Sequence, residues 1–458
     1  MAKDLTKGRI TPLLIKFTVP LVLGNLLQIT YNAADSIIVG RAVGKEALAA
    51  VGTCNPVMTL MILFLNGLCI GAAVLMGTQY GAGDYDTLKR QVSTTLLAGL
   101  VFTVVLSVLC IVFAGPILKL LQVDPDWYDI ALEYMQIIFL GLVFTYLYNF
   151  FSATLRALGD SIAPLLFLMI SAGVNIAGDL FFVLVLDWGS RGCAIATVLS
   201  EALSAAFCVL YIHLRVPLLD LGRKWLVFDR SLLAQTIRFG WASAMQQGTV
   251  QLGKIATQGI VNTMGINIAA AYAIVNRLDD FAVLTEQNIA HALTAFMAQN
   301  RGAGRTERVR GGFFAGLRLE VIYGAIVSVL AFALAAPLVS AFTKDPDVLR
   351  EGVTYLRLMA LFYLMPAVTN GVQGYFRGIG QMRVTLLSSI VNMGMRVASA
   401  ALFVLVLRMG MHAVPLSYVV GWAFMLLVEA PIFMKNLHHL KAGPVPAERT
   451  PDESHPAQ

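Results

Sequence analysis

The chain has 458 residues, 58% of them hydrophobic and only 13% charged, with a net charge of +6 and a mean hydropathy of +0.74. Soluble domains carry roughly twice that share of charge, so this composition excludes an ordinary soluble domain and calls for a lipid solvent. The surplus of Lys and Arg is spread through short breaks between apolar runs, not gathered into a patch, which excludes a nucleic-acid partner.

Spans of about 20 apolar residues cross a hydrocarbon core about 30 Å thick, and helices satisfy their own backbone there. Runs of that kind predict twelve helices, near 17–39, 49–78, 92–114, 130–154, 162–186, 192–212, 239–263, 268–298, 313–336, 352–376, 384–407 and 412–434. The second and eighth are too long for one straight crossing, so tilt or extension beyond the bilayer is expected. The first run starts only after Lys16 and lacks a small-residue cleavage pattern, so it reads as a span and not a removable leader. With the N-terminus inside, about 21 basic residues fall in inside segments and about seven in outside ones, which places both termini in the cytoplasm. Arg215, Arg223, Lys224, Arg230, Arg301, Arg305, Arg308 and Arg310 carry that bias, opposed outside by Asp124, Asp126, Asp129 and by Asp345, Asp347, Glu351. The five cysteines lack CxxC spacing, so they indicate neither a disulfide framework nor a zinc site and read as packing residues.

The chain repeats itself. Ile15-Lys16-Phe17 returns as Ile237-Arg238-Phe239, Gln79 to Gly83 as Gln299 to Gly304 with one insertion, Asp124-Pro125-Asp126 as Asp345-Pro346-Asp347, and Arg156 and Gly159 as Arg377 and Gly380; the spacing stays between 220 and 222. Each copy holds six spans, an even number, so the copies enter the membrane in the same sense, as in transporters with parallel repeats. The expected organisation is an N-terminal lobe over 1–212, a cytoplasmic linker over 213–238, a C-terminal lobe over 239–436 and a disordered tail over 437–458. Alternating access by rocking one lobe against the other follows from that arrangement.

Polar side chains within spans are costly and normally face protein or water. Asn25, Gln28, Asn32 and Asp35 are three and four residues apart and share one face of the first span, after Pro20, which should kink it. Ser171, Asn175 and Asp179 share a face of the fifth, so the two stripes are expected to meet in the first lobe. A carboxylate withdrawn from water beside a second one has reason to take up a proton, or a sodium ion with help from amides and carbonyls. The alternative is that Asp35 is a helix-end residue and Asp179 a hydrogen-bonded spacer.

The second lobe offers hydrogen-bonding and basic groups instead: Gln247, Gln251, Lys254, Gln258 and Asn262 on the seventh span, Asn370, Gln373 and Arg377 on the tenth, and Asn392, Arg396 and Ser399 on the eleventh. These serve as cavity candidates or as interhelical hydrogen bonds. The eighth span adds Arg277, Asp279, Asp280, Glu286 and His291, where Arg277 and Asp280 can neutralise each other. Tyr31, Tyr146, Tyr148, Tyr363 and Trp241 are aromatic candidates for a flat cation. GxxxxGK[ST], HExxH and GxSxG are absent, so neither ATP hydrolysis in this chain nor a hydrolase is indicated.

The residues resemble the multidrug and toxic compound extrusion (MATE) family, bacterial branch, over roughly residues 8–436. The resemblance rests on Pro20-Leu-Val-Leu-Gly24-Asn25, Ala34-Asp35-Ser36-Ile37-Ile38-Val39-Gly40-Arg41, the Gln-x-Gly-Ala-Gly motif and its repeat, Leu155-Arg156-Ala157-Leu158-Gly159-Asp160, and Val174-Asn175 with Asp179. It implies export of organic, often cationic, compounds in exchange for H+ or Na+, with no further cofactor. Coupling would pass through Asp35, Asn175 and Asp179, and any sodium would bind there. The chain departs from family members that carry Glu in the seventh span and Asp in the tenth, and it has Thr285-Glu286 where many carry proline. The expectation is therefore a monomeric, multi-pass transporter of the cell membrane, not an enzyme. Its cavity candidates are Gln28, Tyr31, Asn32, Gln247, Gln251, Lys254, Asn370, Gln373 and Arg396. The rival reading is a lipid-linked oligosaccharide flippase of the same superfamily, which needs a basic cavity that Lys254 and Arg396 would supply. A membrane enzyme or a channel is the more distant alternative.

Overall fold

A computed structural model describes residues 4–219 and 226–442, with no side-chain description for 438–442. Among the described residues the chain is all helix, without a strand. In the first lobe α1 (Ile10–Ile38) passes through Pro20 and ends in a π-turn at Val39–Val43; α2 (Lys45–Ala82), α3 (Tyr85–Leu120) and α4 (Pro125–Ala157) follow. The lobe closes with α5 (Ile162–Leu180), its own π-turn at Phe181–Val185, and α6 (Gly189–Arg215). The second lobe comprises α7 (Arg230–Asn262), α8 (Ile266–Gly302), α9 (Thr306–Ala333), the short α10 (Ala335–Ser340), α11 (Pro346–Ala360), α12 (Leu364–Gly378), α13 (Met382–Ala401) and α14 (Ala413–Ala442). Every predicted span has its helix, usually longer by several residues because caps and amphipathic ends extend beyond the apolar run.

Nine helices among the described residues are long and apolar enough to cross a membrane, and α11 with α12, bent by 51° at Leu361–Tyr363, form a tenth crossing. The remaining two, α7 and α8, are long but more polar, and they carry much of the second lobe's amide and charged side chains. The break in the tenth span is a departure from the continuous helix over 352–376.

The repeat is written into the backbone. Positive φ recurs at Gly44 and Gly265, Gly83 and Gly304, Gly159 and Gly380, Asp187 and Arg408, and Gly189 and Gly410, always 221 residues apart. The π-turns at Phe181–Val185 and Leu402–Val406 obey the same spacing. The Asp-Pro-Asp repeat is a helix start: Asp124 Oδ1 accepts from Asp126 N (3.0 Å) and Asp345 Oδ1 from Asp347 N (2.9 Å), each with proline at the first helical position, where no amide hydrogen is needed.

The expected linker over 213–238 is shorter: α6 runs to Arg215 and α7 starts at Arg230, capped by Asp229. Arg223 and Lys224 lie outside the described residues. The tail expected over 437–458 begins inside α14, which continues to Ala442, and 443–458 lie outside the described residues.

The lobes meet along α2, α7 and α8. The helices approach so closely that a Cβ on Gly71 would run into the backbone of Gly240, one on Gly81 into the carbonyl of Gln299, and one on Gly302 into that of Thr78. Gln299, in the second lobe, donates from Nε2 to Ala157 O in the first (2.7 Å). The seam runs from the middle of α2 to its C-terminal end, on the side of the membrane where α1 begins.

Candidate functional site

A cavity of about 350 Å³ lies between the lobes, walled by α1, α2, α4, α5, α6 and α8. Of the sequence candidates, Asn25, Gln28, Tyr31, Tyr148, Ser171 and His291 line it. The rest of its polar lining includes Asn66, Asn149, Arg156 and Glu201. Asn25 Nδ2 donates to Asn288 Oδ1 across it (3.1 Å), so the first polar residue of the α1 stripe joins the two lobes. Glu201 accepts from the hydroxyl of Thr145. A single acid in the Ala- and Ser-rich run of α6 was visible in the sequence as an intramembrane carboxylate, and by the rule that such groups are functional it belongs among the candidates.

Beside this cavity, within the first lobe, the α1 and α5 stripes meet as expected. One oxygen each from Asp35 and Asp179 and the Sγ of Cys193 lie within 4.8 Å of one another. Asp179 and Cys193 are fully buried and Asp35 is half-buried. Neither carboxylate oxygen of Asp179 has a hydrogen-bond partner, nor does Asp35 Oδ1. Asn175, one turn before Asp179 on α5, donates from Nδ2 to Thr197 Oγ1 (3.3 Å), while its own Oδ1 stays unpartnered. Ser171 Oγ donates to the Ser200 carbonyl (2.7 Å), and both residues line the cavity. All five cysteines are buried and free, as expected of packing residues; Cys193 is in the core of the first lobe and also lies beside the two acids, because α6 packs against α5.

The other candidates are not brought to the cavity. Asn32 is exposed and lines neither the cavity nor the acid cluster. Gln247 and Gln251 are half-buried on α7 and also outside the cavity lining; it is their neighbour Gln246 that bonds inward, to Gln373 Oε1 (2.7 Å) and Ser389 Oγ (3.2 Å). Lys254 pairs with Asp280 at 3.0 Å on an exposed face, so Asp280 serves Lys254 where Arg277 was expected. Arg396 is buried with its guanidinium carbon 3.0 Å from the centre of the Tyr418 ring, a packed cation–π contact.

Asn370 and Gln373 belong instead to a buried polar chain in the second lobe. Asn370 Nδ2 donates to Glu286 Oε2 (3.3 Å); Gln373 Nε2 donates to Glu429 Oε1 (2.5 Å) and to Ser388 Oγ (2.8 Å). Glu286, Glu320 and Glu429 are all fully buried, and both oxygens of Glu320 lack a partner. Besides its amides, the second lobe thus holds buried acids on α8, α9 and α14, outside the seventh and tenth spans; of these, Glu286 was among the sequence candidates and Glu320 and Glu429 were not.

The comparisons with known proteins agree with this geometry. The MatE family model matches the chain twice, over residues 20–181 and 242–402, once in each lobe. The chain belongs to the MATE family. The probable multidrug resistance protein YoeA of Bacillus subtilis (strain 168) is 32% identical over 360 residues, 76% of this chain and 77% of that one. YpnP of the same organism, also a probable multidrug resistance protein, is 28% identical over 85% of this chain and 87% of its own length. Among solved structures, a MATE crystal structure in the bent conformation superposes with a TM-score of 0.90 at 22% identity, over 96% of this chain and 98% of that one, which establishes the shared fold. The chain is thus an all-helical, multi-pass membrane protein of a transporter family, with two six-span lobes.

Proposed function

We propose that this MATE protein is a cation-coupled antiporter that exports organic, often cationic, compounds in exchange for H+ or Na+, its lobes alternating access to the central cavity. The observation that carries the reading is the pair Asp35 and Asp179. These are two carboxylates on different helices, three of whose oxygens are buried without a donor, beside a cavity between the moving halves. Buried carboxylates without partners are costly, and a proton or sodium ion taken up there removes that cost. Release of the cation restores it, which gives the lobe two states of different energy, and substrate bound in the cavity biases the same equilibrium. Asn175 and Thr197, one turn along α5 and α6, hold the two helices in register behind the acids. Glu201, Tyr31 and Gln28 give the cavity an acceptor-rich wall suited to an organic cation. The relatives named as multidrug resistance proteins support the substrate class.

The two basic residues on which the flippase alternative relied are away from the cavity, Lys254 paired with Asp280 and Arg396 packed on Tyr418; Arg156 does line it, but with the acid Glu201 in the same lining, which weighs against a strongly basic site. The excess of Lys and Arg in the segments on the side of the termini supports a cytoplasmic location for both ends, in the cell membrane.

Ethidium efflux from vesicles, with a pH or sodium gradient imposed separately, tests the proposal. Asp35→Asn and Asp179→Asn should each reduce gradient-driven efflux at least tenfold while leaving the protein folded and inserted. Intact efflux in Asp35→Asn overturns the coupling role.

A further inference from the structure

We infer that Asp35, Asp179 and Cys193 form a site for a thiophilic divalent cation of the zinc and cadmium class, and that its occupation arrests exchange. The second half of this inference rests on the coupling role proposed for the two acids; the first half does not.

The geometry comes first. Sγ of Cys193 and one oxygen from each carboxylate lie within 4.8 Å of one another, and three helices, α1, α5 and α6, supply them. Around one tetrahedral ion with bonds of about 2.0–2.3 Å, neighbouring ligand atoms sit roughly 3.5 Å apart. The three groups therefore need only about an ångström of closure, within reach of side-chain rotation. An acid pair with a cysteine is not a site by itself; the unsatisfied atoms around it are the independent sign. Asp179 is fully buried with both oxygens lacking a partner, and Asn175 Oδ1, 2% exposed, is also without one. Asp35 is the half-buried member of the three, and its Oδ1 is buried without a partner.

The chemistry selects the ion. A sodium ion takes oxygen ligands and leaves a thiol as a spectator, whereas thiolate raises the preference for zinc and cadmium far above that for hard cations. On binding, Cys193 loses its proton to solvent and the bond formed is sulfur to metal, with no change of oxidation state. Two carboxylates and a thiolate bring three negative charges to a double positive charge, a balance that a monovalent ion cannot approach. Cys193 is free, as are the other four cysteines. With two carboxylates and a thiolate tied to one ion, α1, α5 and α6 are fixed relative to one another, and the acids cannot exchange their cation.

The test uses the purified full chain in detergent, titrated with cadmium, reading the ultraviolet thiolate-to-cadmium charge-transfer band; a second arm measures ethidium efflux from vesicles with and without cadmium, each variant normalised to its own metal-free rate. The expected result is a band saturating at one equivalent, lost in Cys193→Ser although the other four cysteines remain, and weakened at least tenfold in affinity in Asp179→Asn. No band in the parent chain, or an undiminished band in Cys193→Ser, overturns the site. Cadmium should inhibit efflux by the parent chain and spare Cys193→Ser. A saturating band with efflux untouched by cadmium upholds the site and overturns both the arrest and the coupling role of the acids.

Discussion

Asp229 shows how one side chain fixes the start of a lobe. Its Oδ1 accepts from Ser231 N (2.9 Å), Leu232 N (3.3 Å) and Ser231 Oγ (2.8 Å), and its other oxygen lies 3.8 Å from Arg90 of the first lobe. The Ser231 hydroxyl first, then the backbone amides and Arg90, hold its carboxyl below the usual aspartate range, outweighing slight burial. A lowered carboxyl contributes stability above the unfolded value, near 3.9, and that contribution is lost as pH falls through the folded value. Asp229→Ala should therefore cost about 1 kcal/mol at pH 7, and Asp229→Asn, which keeps the cap, much less. In detergent melts the gap between parent and Asp229→Ala should stay constant from pH 7 to about 5 and narrow only below about 4; a gap independent of pH would remove the charge from this account. At the same scale, Asp35 and Asp179 were legible because acids are rare within apolar runs and helical spacing puts each on a face with amides. Cys193 was not, since nothing in its own sequence neighbourhood says that α6 will bring it between two carboxylates. Glu201, Glu320 and Glu429 were legible by the same rule that found Asp35, and the emphasis on amide stripes passed over them.

Helices were read almost completely from apolar run length, since lipid admits few other solutions, but their ends and their mutual approach were not. Ends depend on caps: Asp124, Asp229 and Asp345 each extend a helix beyond its apolar run. The bend between α11 and α12 falls at Leu361–Tyr363, and Pro366 marks it in the sequence: it has no amide hydrogen for the Phe362 carbonyl four residues back and its ring crowds that carbonyl, so a continuous helix over 352–376 overlooks a breaker that was legible. Glycines at the lobe seam were visible only as the Gln-x-Gly-Ala-Gly repeat, whose purpose the structure explains: Gly81 lies against the Gln299 carbonyl and Gly302 against that of Thr78, a reciprocal pair around the pseudo-symmetry axis. Backbone on the far side has no rotamer through which to yield. Gly81→Ala should cost about 1–3 kcal/mol, read as a lower apparent melting temperature and a smaller monodisperse fraction. Gly248→Ala in α7, where a Cβ meets nothing within 4 Å, should be neutral or stabilising by up to about 1 kcal/mol. Equal effects of the two substitutions would mean that the close approach at Gly81 does not constrain the seam.

In the alternating-access reading proposed above, the lobes exchange access only if this seam opens, and Gln299 is a buried polar link at its end. Its Nε2 donates to Ala157 O at the end of α4 (2.7 Å), and its Oε1 accepts from Leu5 N (2.9 Å), so one buried amide ties first lobe, second lobe and N-terminal segment together. That segment is held further by Asn300 Nδ2 to Leu5 O (3.2 Å), Arg305 Nη1 to Thr6 O (2.6 Å) and Arg308 Nη1 to Gly8 O (2.8 Å), with Leu5 buried. Removing a buried hydrogen-bonding side chain leaves its partners unsatisfied, at about 1–3 kcal/mol. The Ala157 carbonyl and the Leu5 amide lose their partner only in the closed arrangement, because opening exposes both to water in either protein. Gln299→Ala should therefore shift the ratio of open to closed by a factor of roughly 5 to 150. A cysteine placed at Ala295, in the cavity wall beside the seam, reports this through its labelling rate by a membrane-impermeant maleimide added on the side of the termini. Faster labelling in Gln299→Ala at unchanged melting temperature is the expected outcome. An unchanged rate would show that the glycine contacts alone hold the lobes closed, and that the amide serves only to seat the N-terminal segment.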